Sequence, residues 1–186
     1  MKNSANIKIL ARFIAVSGAL APLQLQAQPP TPPAPKVLAA MEKLSWLEGE
    51  WRGDGWRMGP DGKETFSVTE TAEYVLDGMV LTLHGRGWSE DEDGNEVEGH
   101  KAFGVMSYDA YAQRYHFDAF VKEGYQSRST PQIGENDYRW SHTGGPGVEM
   151  RYYARLNDEG QWIETGERCE GDNCTQVFEM RLSKAE

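Results

Sequence analysis

The amino-acid sequence predicts an all-β protein: a closed up-and-down antiparallel β-barrel of about ten strands with a short N-terminal capping helix. No long helical period follows Trp51, and an apolar segment leads into Gly49-Glu50-Trp51, where the indole can plug the floor of a barrel. Turn signals recur at close intervals, as in a meander that loses its edges by closing. They lie at residues 60–62, 77–78, 93–94, 109–110, 123–124, 134–136, 144–146, 157–160 and 171–173.

The first 27 residues have the pattern of a secretory signal peptide. Three basic residues precede or begin a short apolar run over residues 13–25, and Ala27 offers a small residue at the cleavage position. A membrane anchor is the alternative, but the run is shorter than the roughly 20 apolar residues that span a bilayer. We therefore expect a periplasmic or secreted protein with no stable membrane insertion after cleavage.

A Pro-rich linker over residues 28–36 separates the signal segment from a single barrel domain over residues 37–186. Residues 28–35 contain five prolines, which favour extended geometry and donate no ladder hydrogen bonds. From residue 36 to residue 47 the apolar spacing predicts one amphipathic helix, which we expect to cover an end of the barrel.

The chain is acidic. Its formal net charge is −10 at pH 7, and loss of the three cations in the signal segment leaves −13. A surface of this charge argues against nucleic acid and anionic membranes as partners. A small hydrophobic molecule is the partner that a barrel interior favours.

Cys169 and Cys174, the two cysteines of the chain, flank four turn-forming residues between two strand-like runs. In a hairpin, residues that face each other at a non-hydrogen-bonded position lie within disulfide reach. A catalytic thiol pair is the alternative, but redox pairs are normally separated by two residues and lie beside a helix. Export to an oxidising compartment favours a structural disulfide.

The turn at residues 77–78 indicates which side chains face inward. A two-residue turn there places positions whose numbers sum to 155 opposite each other, and one face of this hairpin is then almost wholly apolar. Continuing the alternation predicts these inward positions on later strands: Phe103, Val105, Tyr115, Phe117, Ala119, Val121, Met150, Tyr152, Phe178, Met180 and Leu182.

Glu70 interrupts the apolar character of this face, and a buried carboxylate must be paired or neutral. The register places Glu70 opposite Gly85. A hairpin centred on residues 93–94 places Gly87 opposite Lys101, so the two glycines leave room for Glu70 and Lys101 to meet. They form either a structural ion pair or the polar anchor of an apolar ligand pocket. The predicted ligand-binding residues are Glu70, Tyr74, Lys101 and Tyr152.

The histidines do not predict a metal site. In the predicted register His84 and His100 lie on the outward face, several residues apart, and at about 3.3 Å per residue they cannot share a coordination sphere. His142 stands at a strand end and is a candidate for the mouth of the barrel. The sequence contains no nucleophile elbow or phosphate loop, and we expect neither a metal nor a cofactor.

Two groups of residues carry a resemblance to a known family. One runs from Phe66-Ser67-Val68-Thr69-Glu70-Thr71 into Leu76-Asp77-Gly78 and the Gly85/Gly87 strand, and the other is Ser107-Tyr108-Asp109 followed by Arg114-Tyr115. Over residues 44–182 the chain resembles a bacterial domain family of unknown function that is similar to lipocalin, fatty-acid-binding and nitrobindin-type barrels. The resemblance implies a closed, lipocalin-like barrel with an internal cavity.

The resemblance also bears on individual residues. Nitrobindin-like barrels bind haem through a histidine near the C-terminus, and residues 175–182 contain none, which argues against haem. Lipocalin-type barrels pack a C-terminal arginine over the tryptophan of the Gly-x-Trp segment, which implies a structural role for Arg181 over Trp51. No catalytic residue is implied, because the family has no agreed activity.

Three functions are compatible with these features. The first is an exported barrel that binds a small, largely apolar molecule in its interior. The second is an enzyme on the same barrel, an isomerase or hydrolase with Glu70 as acid or base. The third is a structural or interaction module of the cell envelope with a filled interior. A cavity favours the first two, and a strongly raised pKa of Glu70 beside that cavity favours the enzyme.

Overall fold

A computed structural model describes residues 34–185, so the predicted signal peptide and most of the predicted linker lie outside the described residues. No helix in residues 34–185 is long and apolar enough to cross a membrane. The described chain consists of helix α1 (Pro35–Met41), a 3₁₀ helix (Glu42–Leu47) and the strands β1 (Gly49–Gly59), β2 (Gly62–Val75), β3 (Val80–Glu90), β4 (Glu96–Asp109), β5 (Arg114–Val121), β6 (Gln126–Ser129), β7 (Gln132–Ile133), β8 (Asp137–Gly145), β9 (Val148–Leu156), β10 (Trp162–Glu170) and β11 (Asn173–Lys184).

The eleven strands belong to one antiparallel sheet, which is curled into a half-barrel. The all-β prediction is confirmed, but a closed barrel of ten strands is not. Strand β1 pairs with β2 on one side and with β11 on the other, and the sheet ends at β6 and β7. The stretch between the turns at residues 123–124 and 134–136 is divided by Pro131, which has no N–H for a ladder. Its two halves pair with opposite ends of the sheet.

The N-terminal segment packs against one end of the half-barrel, which we call the sealed end. The single helix predicted over residues 36–47 is instead α1 followed by the 3₁₀ helix. The buried residues Met41, Leu44 and Leu47 recur every three positions, as the 3.0 residues per turn of a 3₁₀ helix require. They share one core with Trp51, whose Nε1 donates a hydrogen bond to the Leu47 carbonyl at 2.7 Å.

Two tyrosine hydroxyls attach α1 to the sheet. Tyr115 donates to the Ala40 carbonyl at 2.7 Å, and Tyr74 donates to the Met41 carbonyl. The prediction that Tyr74 lines a ligand site was therefore wrong. The Tyr74 ring faces inward, but it lies at the sealed end, where its hydroxyl donates a hydrogen bond to α1.

The β2–β3 register is the predicted one, with Glu70 opposite Gly85. The β3–β4 register differs from the prediction. Beside the turn Glu90 lies opposite Glu96, two positions from the predicted partner, and a bulge between Gly87 and Trp88 leaves Gly87 opposite His100, one position from it. A shift of one residue moves every later side chain of a strand to the other face. The inward residues of β4 are consequently Ala102, Gly104, Met106 and Tyr108, and the inward placement predicted for Phe103 and Val105 was wrong.

Trp51 is 1% exposed, as expected for a residue at the floor of a barrel. The packing of Arg181 over Trp51 was a wrong expectation. Arg181 stands opposite Asp54 and donates to Gln161 Oε1 at 3.3 Å on the outside of the sheet. Lys184 pairs directly opposite Trp51, and its Nζ lies 5.2 Å from the centroid of the indole ring.

Cys169 and Cys174 form a disulfide across the β10–β11 hairpin, as predicted. The turn is shorter than expected, because Glu170 and Asn173 still pair as strand residues. Only Gly171 and Asp172 remain between the strands, and Gly171 has φ +60°, a conformation that favours glycine. The bridge therefore ties the last two strands together at their turn.

Candidate functional site

A cavity of about 750 Å³ lies inside the half-barrel, above the sealed end. Its position follows from strand alternation, because every second side chain of a strand faces the interior. Trp162 and Met180 lie at its floor, whereas Arg57 and His100 belong to the opposite, open end of the sheet. The interior is therefore partly empty, contrary to the filled interior required by the third predicted function.

A wall of aromatic rings forms one side of the cavity. Trp140 and Tyr152 stack with their ring centroids 4.4 Å apart and their planes 12° apart. His142 continues the stack at 5.6 Å from Trp140, and Phe117 meets Trp140 edge-on at 4.9 Å. Rings at these separations hold one another in place, so the wall offers a preformed apolar surface.

Two glycines make room for side chains of the cavity. A Cβ atom at Gly85 would lie 2.5 Å from Glu70 Oε1, and a Cβ atom at Gly104 would lie 2.7 Å from the ring of Phe117. Any larger residue at Gly85 would displace the carboxyl group. The glycine opposite Glu70, predicted to provide space, has that role in the structure.

Glu70 lies deep in the interior, between Trp51 and Gly85 on the neighbouring strands. Burial raises the pKa of its carboxyl group to about 8, with a further contribution from the nearby Glu164. Within residues 34–185 the Glu70 carboxyl forms no hydrogen bond and no ion pair, yet it lines the cavity. It is therefore an acid that is protonated at neutral pH and has no protein partner among the described residues.

Glu164 is the second carboxyl group at this floor, and it is 7% exposed. Burial raises its pKa to about 7, although hydrogen-bond donors around it act in the other direction. Trp140 Nε1 donates to Glu164 Oε1 at 3.3 Å. Trp162 and Tyr138 lie near enough to lower the pKa of the carboxyl group, although Trp162 Nε1 makes no well-formed hydrogen bond. We call Glu70 and Glu164 together the carboxyl pair.

The two tyrosines beside the carboxyl pair remain neutral at physiological pH. Burial raises the pKa of Tyr152 to about 12 and the pKa of Tyr138 well above its usual value, and Glu164 adds to both shifts. Each hydroxyl can therefore donate a hydrogen bond at any pH at which the protein is folded. The floor of the cavity combines two carboxyl groups with hydroxyl and indole donors.

Histidines lie at the open end of the cavity. His142, predicted as a mouth residue, lines it, and its Nδ1 lies 3.1 Å from the Thr143 carbonyl oxygen. His100 also lines the cavity, and burial lowers its pKa. The prediction that His100 faces outward was wrong for the same reason as Phe103, namely the bulge that shifts β4. His84, by contrast, lies outside against Phe103, with ring centroids 4.7 Å apart.

Of the four predicted ligand-binding residues, Glu70 and Tyr152 lie at the cavity, whereas Tyr74 and Lys101 do not. The predicted meeting of Glu70 and Lys101 was wrong. Lys101 stands opposite Arg86 on the outer face, and its Nζ lies 2.8 Å from Glu98 Oε2. The hydrogen bonds from Arg86 and Lys101 lower the pKa of Glu98 to about 2, so this exposed trio carries its charges at neutral pH.

Sequence reasoning missed Glu164. Trp162 and Ile163 are both buried although they point to opposite faces, so no clear alternation reveals which face of β10 is inward. The predicted turn at residues 157–160 would even mislead, because it pairs Tyr152 with Thr165. The observed loop extends to Gln161, so that Tyr152 lies opposite Gly166 and Ala154 lies opposite Glu164.

One group of potential metal ligands occurs among residues 34–185, formed by Glu167, Cys169 and Cys174, whose ligand atoms lie within 4.8 Å of one another. Both sulfur atoms are joined in the disulfide, so neither can serve as a thiolate ligand. The carboxyl pair has two oxygen donors but belongs to no such group.

The fold and the cavity together define a β-barrel-like protein with an internal chamber. Its fold is similar to that in the crystal structure of Rv2717c from M. tuberculosis, with a TM-score of 0.56 and 14% sequence identity over 82% of this chain and 99% of that chain. At this identity the similarity concerns the fold alone. Neither a protein-family model nor a curated protein matches the sequence.

Proposed function

We propose that this protein binds a small, largely apolar molecule in its cavity, with a polar group of that molecule placed at the carboxyl pair. One observation carries the proposal: a cavity of about 750 Å³ has an aromatic wall and a floor that carries two carboxyl groups. Ligand sites typically occupy about 300–1,000 Å³ and combine apolar walls with a few polar groups that orient the ligand.

The polar floor determines how a ligand would be oriented in the cavity. A ligand whose apolar part lies along Trp140 and Tyr152 would bring its other end to Glu70, whose carboxyl has no partner among the described residues. A ligand that occupies the space above Glu70 removes the carboxyl group from contact with solvent, so a ligand that offers a hydrogen bond in return is favoured. This requirement orients the ligand.

Binding of the uncharged fluorophore N-phenyl-1-naphthylamine tests this proposal. We expect its fluorescence to rise on addition of the protein. The Ala119→Trp variant, which narrows the cavity, should weaken the rise. Thr71→Trp adds the same ring on the outer face beside Glu70 and is the matched control. Equal binding by both variants, or no binding by the unmodified protein, would contradict the proposal.

Acid–base catalysis on the same cavity is a second candidate. It is favoured by two carboxyl groups whose pKa values, about 8 and about 7, lie near physiological pH beside a cavity. Deuterium incorporation into 1-tetralone in D₂O is a direct probe of proton abstraction next to a carbonyl. Incorporation above the buffer rate that is lost in Glu70→Gln supports the enzyme, whereas bound but unexchanged ketone leaves binding as the function.

We also propose that the protein is exported. The signal-like segment over residues 1–27 and the disulfide between Cys169 and Cys174 support this. Intact mass of the protein from the periplasm or medium should correspond to a chain that begins near Gln28 and lacks free thiols. A full-length chain with two reactive thiols in the cytoplasm would contradict export.

A further inference from the structure

The carboxyl pair has no positive partner. None of the ion pairs formed by residues 34–185 includes Glu70 or Glu164. Glu164 acts on the charge of Glu70, and Tyr138 and the indoles of Trp140 and Trp162 act on that of Glu164. Arg57, His100 and His142 lie at the open end of the cavity, and Arg57 is paired with Glu64 at 3.0 Å. Glu164 is buried and Glu70 is partly buried at the cavity, so both acids are costly to ionise without a cation.

The two acids differ in the donors around them. Glu164 accepts a hydrogen bond from Trp140 and has Trp162 and Tyr138 beside it, so its negative charge can be stabilised by the protein. Glu70 has no such donor among the described residues, and its carboxyl packs over the bare backbone of Gly85. Glu70 is therefore the acid whose ionised form needs a partner from outside the protein.

The surrounding rings suit the apolar body of a ligand. Trp140 and Tyr152 line the cavity and stack on each other with their ring centroids 4.4 Å apart, so the two faces turned toward each other are covered. An aliphatic or aromatic amine would place its apolar body on these rings and its nitrogen at Glu70. An alcohol should bind more weakly, because it has fewer hydrogen-bond donors and no charge. A carboxylate should bind most weakly, because Glu70 and Glu164 would repel its charge.

We propose that the molecule bound in this cavity carries a protonated amine, which Glu70 receives as a carboxylate at the floor beside Glu164. The inference rests on the proposed function and specifies the class of ligand. The proton balance is simple: the ammonium group enters with its protons, the Glu70 carboxyl gives one proton to solvent, and an N–H···O bond forms between the two. Binding is therefore coupled to the release of one proton.

This coupling gives the affinity a definite pH dependence. Below pH 8 Glu70 is protonated in the free protein. In this range the affinity for an amine should increase by up to about tenfold for each unit by which the pH is raised. The groups facing Glu70 from neighbouring elements are Glu164, Tyr138 and Tyr152, and Glu164 is the one of these that titrates in this range. A variant that removes only Glu70 separates its contribution.

The experiment compares three ligands with the same ring: 1-naphthylmethylamine, 1-naphthalenemethanol and 1-naphthoate. Isothermal titration calorimetry at pH 7.5 should give the amine an affinity about tenfold higher than the alcohol, with the carboxylate weakest. Titrations in two buffers of different ionisation enthalpy should show release of about one proton with the amine and none with the alcohol.

Glu70→Gln is the informative variant, because it keeps the shape of the side chain and removes the charge. It should bind the amine and the alcohol equally, whereas Glu73→Gln, on the exposed face of the same strand, should keep the amine preference. If Glu70→Gln does not fold, the unmodified protein at pH 5.5 serves instead. There the amine is charged and Glu70 is not, and the preference should shrink.

The outcomes separate this inference from the proposed function. An alcohol that binds as tightly as the amine, or an amine preference that survives Glu70→Gln, overturns the amine inference and leaves cavity binding intact. The amine inference is also overturned if the protein binds N-phenyl-1-naphthylamine but none of the three naphthyl ligands. If N-phenyl-1-naphthylamine also fails to bind, both proposals fall.

Discussion

The sealed end and the cavity floor of this half-barrel are adjacent and differ in how their polar groups are paired, although each contains one buried indole N–H without a partner, that of Trp46 at the sealed end and that of Trp162 at the floor. At the sealed end Trp51 Nε1 donates to the Leu47 carbonyl, and the Tyr115 hydroxyl donates to the Ala40 carbonyl. At the cavity floor Glu70 has no hydrogen-bond partner among the described residues, and Trp162 Nε1 has no well-formed one. Satisfied buried groups are typical of structure, whereas unsatisfied groups beside an empty space are typical of sites.

The comparison separates stability from function along one interior. Trp51 and Trp162 meet edge-on with ring centroids 5.9 Å apart, and Trp162 lines the cavity whereas Trp51 does not. On one side of this pair, substitutions should cost folding free energy. On the other side, they should change pH dependence and ligand binding more than stability at low pH.

The largest expected effect is that of Trp51→Ala. The residue is 1% exposed, so truncation leaves a void and should lower the free energy of unfolding by about 3–5 kcal/mol. Trp56→Ala is the control, because Trp56 lies half-buried on the outer face, where Lys63 Nζ is 4.1 Å from its ring centroid. Urea denaturation should show a loss of about 1 kcal/mol or less for the control. Equal losses would mean that the sealed end is not the main core.

The second effect is the pH dependence of stability. The pKa of Glu70 is raised from 4.5 to about 8 on folding, so between these values the folded state holds a proton that the unfolded state has lost. Stability should therefore fall as pH rises, by about 1.4 kcal/mol per pH unit for this group. Urea denaturation at pH 5, 6 and 7 gives the change in the free energy of unfolding with pH. This change should be smaller by about 1.4 kcal/mol per pH unit in Glu70→Gln and unaltered in Glu73→Gln. No difference between Glu70→Gln and the unmodified protein would mean that the Glu70 carboxyl is solvated.

The third effect concerns the disulfide, which lies next to the turn of the last hairpin. It closes a loop with a sequence separation of five residues, so its reduction should lower the free energy of unfolding by about 2 kcal/mol, the low end for disulfides. Cys169→Ala/Cys174→Ala should match the reduced protein and still bind N-phenyl-1-naphthylamine. Loss of binding would show that this hairpin shapes the cavity.

The smallest effect is expected for Lys101→Ala. Lys101 pairs with Glu98 on the outer face, and exposed ion pairs contribute about 1 kcal/mol or less. Probe binding and its pH dependence should not change. A loss of binding in this variant would indicate that Lys101 lines the cavity and would contradict the observed β3–β4 register.

The contrast between Glu70 and Lys101 explains how far sequence reasoning reaches. Glu70 was found because its hairpin has a short turn and a regular alternation, so the register of β2 and β3 followed directly. Lys101 was misplaced because the extra residue of the bulge next to Gly87 carries no distinct turn signal. Local patterns thus define a strand face only as far as the next irregularity.

Other features depend on distant parts of the chain. Glu164 escaped notice because it meets Glu70 only when β10 and β2 curl toward each other, and strands so far apart in sequence have no shared local pattern. Lys184, and not Arg181, lies opposite Trp51 in the β1–β11 pair. These strands come from the two ends of the domain, so no local pattern gives their register. The disulfide was predicted because both of its residues belong to one hairpin.

A ¹³C NMR titration of the glutamate side-chain carboxyl groups, with and without N-phenyl-1-naphthylamine, tests the central claim most directly. In the free protein two signals should titrate far above the others, near pH 8 and pH 7, and Glu70→Gln and Glu164→Gln should each remove one of them. Addition of the probe should move both signals and leave that of Glu73 in place. Two carboxyl groups that titrate with the exposed glutamates, or that do not respond to the probe, would contradict a cavity whose floor is the carboxyl pair.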